Sequence, residues 1–229
     1  MKNVIVVTGG GTGIGLGIAR CFKDYAVLLC GRRKEKIDSA VELLKKEGID
    51  AHGMACDVSS RDAVETLAEK AKSLGNIICL VNNAAVIEGS AEFMYNINML
   101  GTVYPSEVFY QVMAENGVII NISSIGGHAC PMNDGFRDLV KNANSPDFID
   151  RAVELSSEGD MIAYMFTKRF LLEYTKHCSV MYAGKKIRVL SISPGPFTTD
   201  MLETAKKGQP MDDTIKMMPV PREGYPTLV

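Results

Sequence analysis

Nothing in the charge balance favours nucleic acid. Lysine and arginine number 25 against 27 aspartates and glutamates, a formal net charge of −2, so there is no excess of positive charge to hold a phosphate backbone. No apolar run approaches the roughly 20 residues a membrane helix needs. The first one, Val4-Ile5-Val6-Val7, is cut by Thr8 and glycine too early for a signal peptide. Six cysteines (Cys21, Cys30, Cys56, Cys79, Cys130, Cys178) are scattered singly with no C-x-x-C, and His52, His128 and His177 stand at no metal-ligand spacing from them. No metal site is expected, and the thiols read as reduced, mostly buried side chains of a cytoplasmic protein. No repeat or low-complexity linker interrupts the chain, so its 229 residues are expected to form one domain over 1–229.

What is present is an alternation. Val4–Val7, Ala26–Cys30, Asp50–Ala55, Ile77–Val81, Val118–Ile122 and Ile187–Ile192 read as six strands. Between them lie segments such as Ile37-Val41-Leu44 and Val64-Leu67-Ala68-Ala71, with apolar residues at helical spacing. Near-continuous apolar strands alternating with helices predict an α/β fold, a doubly wound parallel sheet with helices on both faces. The rhythm breaks over 126–163. There Phe136-Leu139-Val140 and Phe148-Ile149-Ala152-Val153 have helical spacing, and Ser145-Pro146-Asp147 is a start signal, so a helical insertion is expected rather than a loop.

After the first strand comes Thr8-Gly9-Gly10-Gly11-Thr12-Gly13-Ile14-Gly15, then a helical run through Ile18, Ala19 and Phe22. Strand, glycine turn and helix is the context in which backbone N–H groups and a helix N-terminus hold a pyrophosphate. The same turn also serves as a tight connection with no ligand. Its spacing is T-G-x-x-x-G-x-G, carried by Thr8, Gly9, Gly13 and Gly15. The second strand ends in Cys30-Gly31-Arg32-Arg33, where a site selective for NAD would place an acidic residue on the ribose 2′-hydroxyl. Two guanidiniums offer planar forks of donors suited to a 2′-phosphate. NADP(H) is therefore favoured, with NAD(H) as the alternative; a solvated basic run with Lys34 and Lys36 would look the same.

Tyr164 and Lys168 stand four apart, on one face of a helix. An ammonium near a phenol stabilises phenolate and lowers the phenol's pKa from about 10 toward working pH, as a general acid/base requires. An exposed surface pair gives the same spacing. Here, however, the pair follows a dinucleotide-type turn and a strand running into Asn121-Ile122-Ser123-Ser124-Ile125-Gly126-Gly127.

With Asp57-Val58, Asn82-Asn83-Ala84-Ala85, Asn98-Met99-Leu100-Gly101 and Pro194-Gly195 with Thr199 in the same order, the chain resembles the short-chain dehydrogenase/reductase family. The resemblance implies a Rossmann-type fold and reversible interconversion of a ketone or aldehyde with an alcohol. It implies that Tyr164 exchanges a proton with the substrate oxygen and Ser124 hydrogen-bonds it, with Ser123 the alternative as a turn hydroxyl. Lys168 would bind the nicotinamide ribose and bias Tyr164 toward phenolate. Asn98 would hold a water linking Lys168 to solvent; a helix-interior asparagine satisfying backbone is the plainer reading. For the cofactor it implies Gly9, Gly13, Ile14 and Gly15 at the pyrophosphate, and Arg32 with Arg33 at the 2′-phosphate, assisted by Thr12 of the turn. Asp57 and Val58 would lie at the adenine, and Asn83-Ala84 along its ribose. Pro194, Gly195 and Thr199 would surround the carboxamide, with Thr198 as a substitute for Thr199.

Three departures individualise the chain. Ala85 replaces a usual glycine, Asn98 follows Asn83 by only 15 positions, and Tyr164 follows Ser124 by 40. A trimmed loop with a long insertion resembles the branch of bacterial 3α-hydroxysteroid dehydrogenase/carbonyl reductase, although Arg32-Arg33 departs from the acidic residue of its steroid member. That branch implies a hydroxysteroid or other bulky apolar substrate, and a homodimer or homotetramer. Phe136, Leu139, Phe148, Ile149 and Val153 would then form a lid or a subunit surface. The other readings are an NAD(H)-dependent dehydrogenase of another alcohol and a non-catalytic dinucleotide sensor. His128 is a candidate rim contact. Met201 and Met211 are candidates for a substrate loop with a turn at Gly208-Gln209-Pro210, while Met161 and Met165 are expected in the core. Domains of this kind usually run to roughly 250 residues. No seventh strand is found, and Pro219 to Val229 reads as the approach to a helix before one.

Overall fold

The apolar runs become strands because both faces of the sheet are covered. The computed structural model of the chain describes residues 1–132, 134–156, 160–208, 215–216, 218 and 222–226. In it β1 (Asn3–Thr8), β2 (Ala26–Gly31), β3 (Asp50–Ala55), β4 (Asn76–Asn82), β5 (Val118–Ile122) and β6 (Arg188–Ile192) form one parallel sheet of order β3-β2-β1-β4-β5-β6. All six lie where the sequence places them, with some ends shifted by a residue.

Side chains along β1 and β2 alternate between two cores. Val4, Val6, Leu28 and Cys30 face α3 (Arg61–Leu74), α5 (Gly101–Val112) and α9 (Asp160–Met181) through Leu67, Phe109 and Phe170. Ile5, Val7, Val27 and Leu29 face α1 (Gly13–Arg20) and α2 (Lys34–Lys46) through Ala19, Ile37 and Leu44. Each Val, Leu, Ile or Phe among them contributes about 1.5–3 kcal/mol on burial, and a one-residue slip would exchange the two sets. The pairing of Val6 with Leu28 on one side and Leu80 on the other is thereby fixed. The chain starts in mid-sheet, winds outward to β3 and returns to β4 on the far side of β1. Strand order reverses between β1 and β4, and such a switch point leaves a crevice beyond the strands' C-terminal ends.

Past β4, Ser90 caps α4 (Ala91–Tyr95) by accepting from the Phe93 N–H. The helix then widens into a π-helical turn, Asn96–Leu100, before continuing as α5. The expected insertion holds α6 (Ile125–Ala129), α7 (Phe136–Lys141) and α8 (Phe148–Leu155). Most of its apolar residues face the core and not outward, where a lid or a subunit surface would need them. Phe136, Leu139 and Phe148 are buried, Ile149 packs partly buried on the same core, and of the five only Val153 stands exposed. The cause lies in α9, which carries Phe166, Phe170 and Tyr174 four residues apart on one face. Phe136 meets Phe166 at 5.1 Å between ring centroids and Phe148 meets Phe170 at 5.4 Å, so the insertion is drawn inward.

After β6 comes α10 (Asp200–Gly208). Among the described residues no seventh strand joins the sheet. Residues 222–226 instead lie along the loop after β6, with a parallel bridge between Phe197 and Gly224. The turn expected at Gln209-Pro210 and the neighbouring Met211 lie outside the described residues. Among the described residues no helix is long and apolar enough to cross a membrane.

Candidate active site

A cleft of about 1070 Å³ opens at the switch point. Its floor is the glycine turn, which β4 stitches in place. The Thr8 hydroxyl accepts from the backbone N–H groups of Asn83 and Ala84, at 3.0 and 3.1 Å, and the Asn83 amide donates to the carbonyls of Thr8 and Gly9. Gly9 and Gly13 have φ of +64° and +54°, a left-handed backbone that favours glycine. A side chain on Gly9 would also meet Ala84 Cα at 2.8 Å. Thr12 gives α1 no side-chain cap and its first turn holds no acidic residue. The open N–H groups and positive dipole end of α1 therefore face the cleft beside Thr12, Gly13 and Ile14, all of which line it. Arg32, Arg33 and Lys36 line its far end, with the Arg32 guanidinium 5.5 Å over the Phe93 ring. Among the described lining residues there is no carboxylate. These features fit a ligand carrying a pyrophosphate and a further phosphate.

The opposite end holds the catalytic candidates. β5 delivers two serines with different partners. Ser123 donates to the Lys168 carbonyl at 2.7 Å, whereas Ser124 caps α6 by accepting from the Gly126 N–H at 3.2 Å and hydrogen-bonds the Tyr164 phenol. Lys168 lies one helical turn beyond Tyr164 in α9, its ammonium 5.5 Å from the phenol ring centroid and donating to the Ile122 carbonyl at 2.9 Å. Burial pushes the Tyr164 phenol up to about 12, against the pull of the Ser124 hydrogen bond. Burial also brings the Lys168 ammonium down to about 8. Both groups are thus biased toward their neutral forms in the free protein.

Most of the residues chosen from sequence meet in this cleft: Gly9, Thr12, Gly13, Ile14, Arg32, Arg33, Val58, Asn83, Ala84, Ser124, Tyr164, Lys168, Pro194, Gly195 and Thr199 all line it. Three stand behind it. Gly15 is a packing glycine, since a Cβ there would lie 2.4 Å from the Gly9 carbonyl oxygen. The Asp57 carboxylate accepts from the Ser59 N–H and hydroxyl, at 3.0 and 2.6 Å. Asn98, 1 % exposed, spends its side chain on the backbone of Val86, which it both accepts from and donates to, and on the Thr167 hydroxyl. Thr199 faces the cleft and Thr198 does not: the latter's N–H and hydroxyl go to the Gly224 carbonyl and to Glu223. His128 bonds Ser193 at 3.0 Å.

Met161 corrects the expectation of a core position, and Met165, which packs partly buried against the core as expected, has a second role: both line the cleft, with Met201, Phe197, Leu202 and Ala205. Their place on the cleft was missed because a helix surface beside Tyr164 and a helix core have the same spacing. Cys56 and Lys36 also line the cleft, and no motif marked either of them. Among the described residues no group of three His, Cys, Asp or Glu side chains is placed to hold a metal.

Comparison with known proteins agrees with this geometry. The family model described as short chain dehydrogenase matches residues 3–133, and that described as enoyl-(acyl carrier protein) reductase matches residues 150–229. Carbonyl reductase family member 4 of Xenopus laevis is 30% identical over 99% of this chain and 87% of its own. Uncharacterized oxidoreductase YvrD of Bacillus subtilis (strain 168) is 28% identical over 90% and 73%. Among solved structures, a variant of actinorhodin polyketide ketoreductase with NADPH superposes with a TM-score of 0.78 at 22% identity, over 99% of this chain and 87% of that one. A Burkholderia cenocepacia J2315 short chain dehydrogenase in complex with NADP gives a TM-score of 0.77 at 20% identity, over 99% and 85%. The chain belongs to the short-chain dehydrogenase/reductase family, whose members are oxidoreductases acting on CH–OH groups.

Proposed function

We propose that the chain is an NADP(H)-dependent reductase that interconverts a neutral, bulky apolar ketone, of the hydroxysteroid kind, with its alcohol. The observation that carries this reading is the polarity of one cleft: Arg32, Arg33 and Lys36 at one end, Ser124, Tyr164 and Lys168 at the other. The nicotinamide, when bound, supplies or takes up the hydride. Ser124 donates a hydrogen bond to the substrate oxygen and holds it against Tyr164. The Tyr164 hydroxyl gives its proton to that oxygen in reduction and its phenolate removes it in oxidation. Lys168 stabilises the phenolate through the charge of its ammonium. Asn98 is a positioning residue, tying the Val86 backbone to α9. The arginines suit a 2′-phosphate because each offers a planar fork of donors. The NADPH and NADP of the two structural relatives support the same cofactor. On the substrate side, Met161, Met165, Met201 and Phe197 form an adaptable apolar wall. Among the described residues lining this end, Lys168 is the one cation that could pair with a substrate carboxylate.

The test is NADPH consumption with a panel of cyclic apolar ketones and small keto acids, run on the parent, Tyr164→Phe and Arg32→Ala. The parent is expected to reduce the apolar ketones and not the keto acids. Tyr164→Phe should bind NADPH while losing roughly 10²–10⁴-fold in turnover, and Arg32→Ala should weaken NADPH more than NADH. Parental turnover in Tyr164→Phe, or activity confined to small polar ketones, overturns the reading.

A further inference from the structure

The short link from Asn83 to Asn98 carries one exposed aromatic ring, Phe93, which is 39 % exposed in α4 and belongs to neither core. Its place is nevertheless built. The Ser90 hydroxyl accepts from the Phe93 N–H at 3.2 Å. Gly89, with φ of +113°, lets the chain pass close against the ring, since a Cβ there would lie 2.6 Å from Phe93 Cδ1. Across the gap from β2 the ring meets Arg32, whose guanidinium carbon stands 5.5 Å over its centre. Arg32 and Arg33 are both exposed, yet among the described residues only Arg32 has an aromatic partner.

The chemistry of that partner matters. Among the described residues no carboxylate is paired with Arg32, although Glu88 and Glu92 stand in the same loop as Phe93. A carboxylate would hold the guanidinium by its forked N–H donors, the groups a phosphate needs, and would oppose a second anion. An aromatic face attracts the cation through its quadrupole and leaves those donors free. Arg32 is thus restrained before any ligand arrives, and its donors stay open to the cleft that it lines.

We infer that Phe93 is a positioning residue for cofactor choice: by holding Arg32 in place it favours dinucleotides that carry a 2′-phosphate over those that carry a 2′-hydroxyl. An unrestrained arginine loses side-chain freedom when it grips a phosphate, and a restrained one has already lost part of it. NADH has no 2′-phosphate for Arg32 to grip and gains nothing from the restraint. The inference rests on the NADP(H) reading given above.

Calorimetric titration with NADPH, NADH, adenosine 2′,5′-bisphosphate and 5′-AMP tests it. The proteins are the parent, Phe93→Leu, Phe93→Tyr, Arg32→Ala and the variant combining Phe93→Leu with Arg32→Ala, each first shown to be folded by circular dichroism. Phe93→Leu keeps an apolar side chain and removes the ring. It should weaken NADPH and the bisphosphate roughly two- to fivefold and leave NADH and 5′-AMP unchanged. Phe93→Tyr should bind all four like the parent. In the Arg32→Ala background Phe93→Leu should have no further effect, a coupling that a general disturbance of the loop would not show. Equal weakening of NADPH and NADH, an undiminished effect without Arg32, or unchanged NADPH affinity overturns the inference and leaves the cofactor reading standing. A parent that binds NADH as tightly as NADPH, and 5′-AMP as tightly as the bisphosphate, overturns both.

Discussion

Lys168 is an expensive residue to bury. Its ammonium has the Ile122 carbonyl as hydrogen-bond partner, and burial brings its pKa from 10.5 to about 8. Between those values the unfolded chain holds the proton that the folded one has released, so this group's contribution to stability rises as pH goes from about 8 to 10.5. At neutral pH it opposes folding. Lys168→Met is therefore expected to gain about 1–2 kcal/mol at pH 7 while turnover collapses, the lost bond to Ile122 offsetting part of the relief. Urea unfolding at pH 7 and pH 10 checks this: the gain should shrink at the higher pH, and a variant less stable than the parent at pH 7 refutes it. Tyr164, whose phenol is raised from 10 to about 12, acts in the opposite sense, and its contribution falls as pH rises past 10. The Tyr164–Lys168 spacing was legible in the sequence because a helix brings residues four apart onto one face. The choice of Ser124 over Ser123 came from the resemblance; the partner that occupies Ser123, a carbonyl of α9 reached from β5, has no local signature.

The glycine turn works as a unit with the strand beside it. A methyl group on Gly15 would sit 2.4 Å from the Gly9 carbonyl oxygen and 2.5 Å from the Asn83 amide, whereas one on Gly184 meets nothing within 4 Å. Gly15→Ala is expected to cost about 1–3 kcal/mol and to weaken NADPH binding, with Gly184→Ala near neutral. Thermal unfolding of the two variants makes the comparison; equal effects would show that the turn tolerates displacement. Strands and helices here were readable from apolar runs and periodicity, and the turn from its glycines. The π-helical turn at Asn96–Leu100 was not, because its residues follow a helical pattern while Asn98 is held by Val86 and Thr167 from distant segments. Nor could spacing alone say which way the insertion faces. Phe136 and Phe148 turn inward because Phe166 and Phe170 of α9 offer partners.

Residues 222–226 are tied to the loop after β6. Thr198 donates its N–H to the Gly224 carbonyl at 2.8 Å, and the Gly224 N–H donates to the Pro196 carbonyl at 2.9 Å. The Glu223 carboxylate receives Lys206 at 2.6 Å and the Thr198 hydroxyl at 2.9 Å. These two donors hold the Glu223 carboxyl below its usual range, so the clasp persists above that lowered pKa and is lost as pH falls through it. Glu223→Gln is expected to speed amide exchange at Thr198 and Gly224 and to raise KM for NADPH, with exchange in β1 to β5 unchanged. Hydrogen-exchange mass spectrometry decides, and protection at Thr198 equal to the parent's would show that the backbone bonds suffice. This clasp had no signature in the sequence, because nothing local relates Glu223 to Thr198.

The same segment reaches the first helix. A Cβ on Gly17 would fall 1.9 Å from the Pro226 carbonyl oxygen, so α1 is bare at that point to let the late backbone rest on it. A ribosome delivers α1 early and Pro226 long afterward. Until Pro226 emerges, the face of α1 at Gly17 stays uncovered, in the order of events that exposes nascent domains to aggregation and chaperones. The contact at Gly17 therefore sets a time as well as a place: the helix at the phosphate end of the cleft gets its cover only after all six strands have left the ribosome.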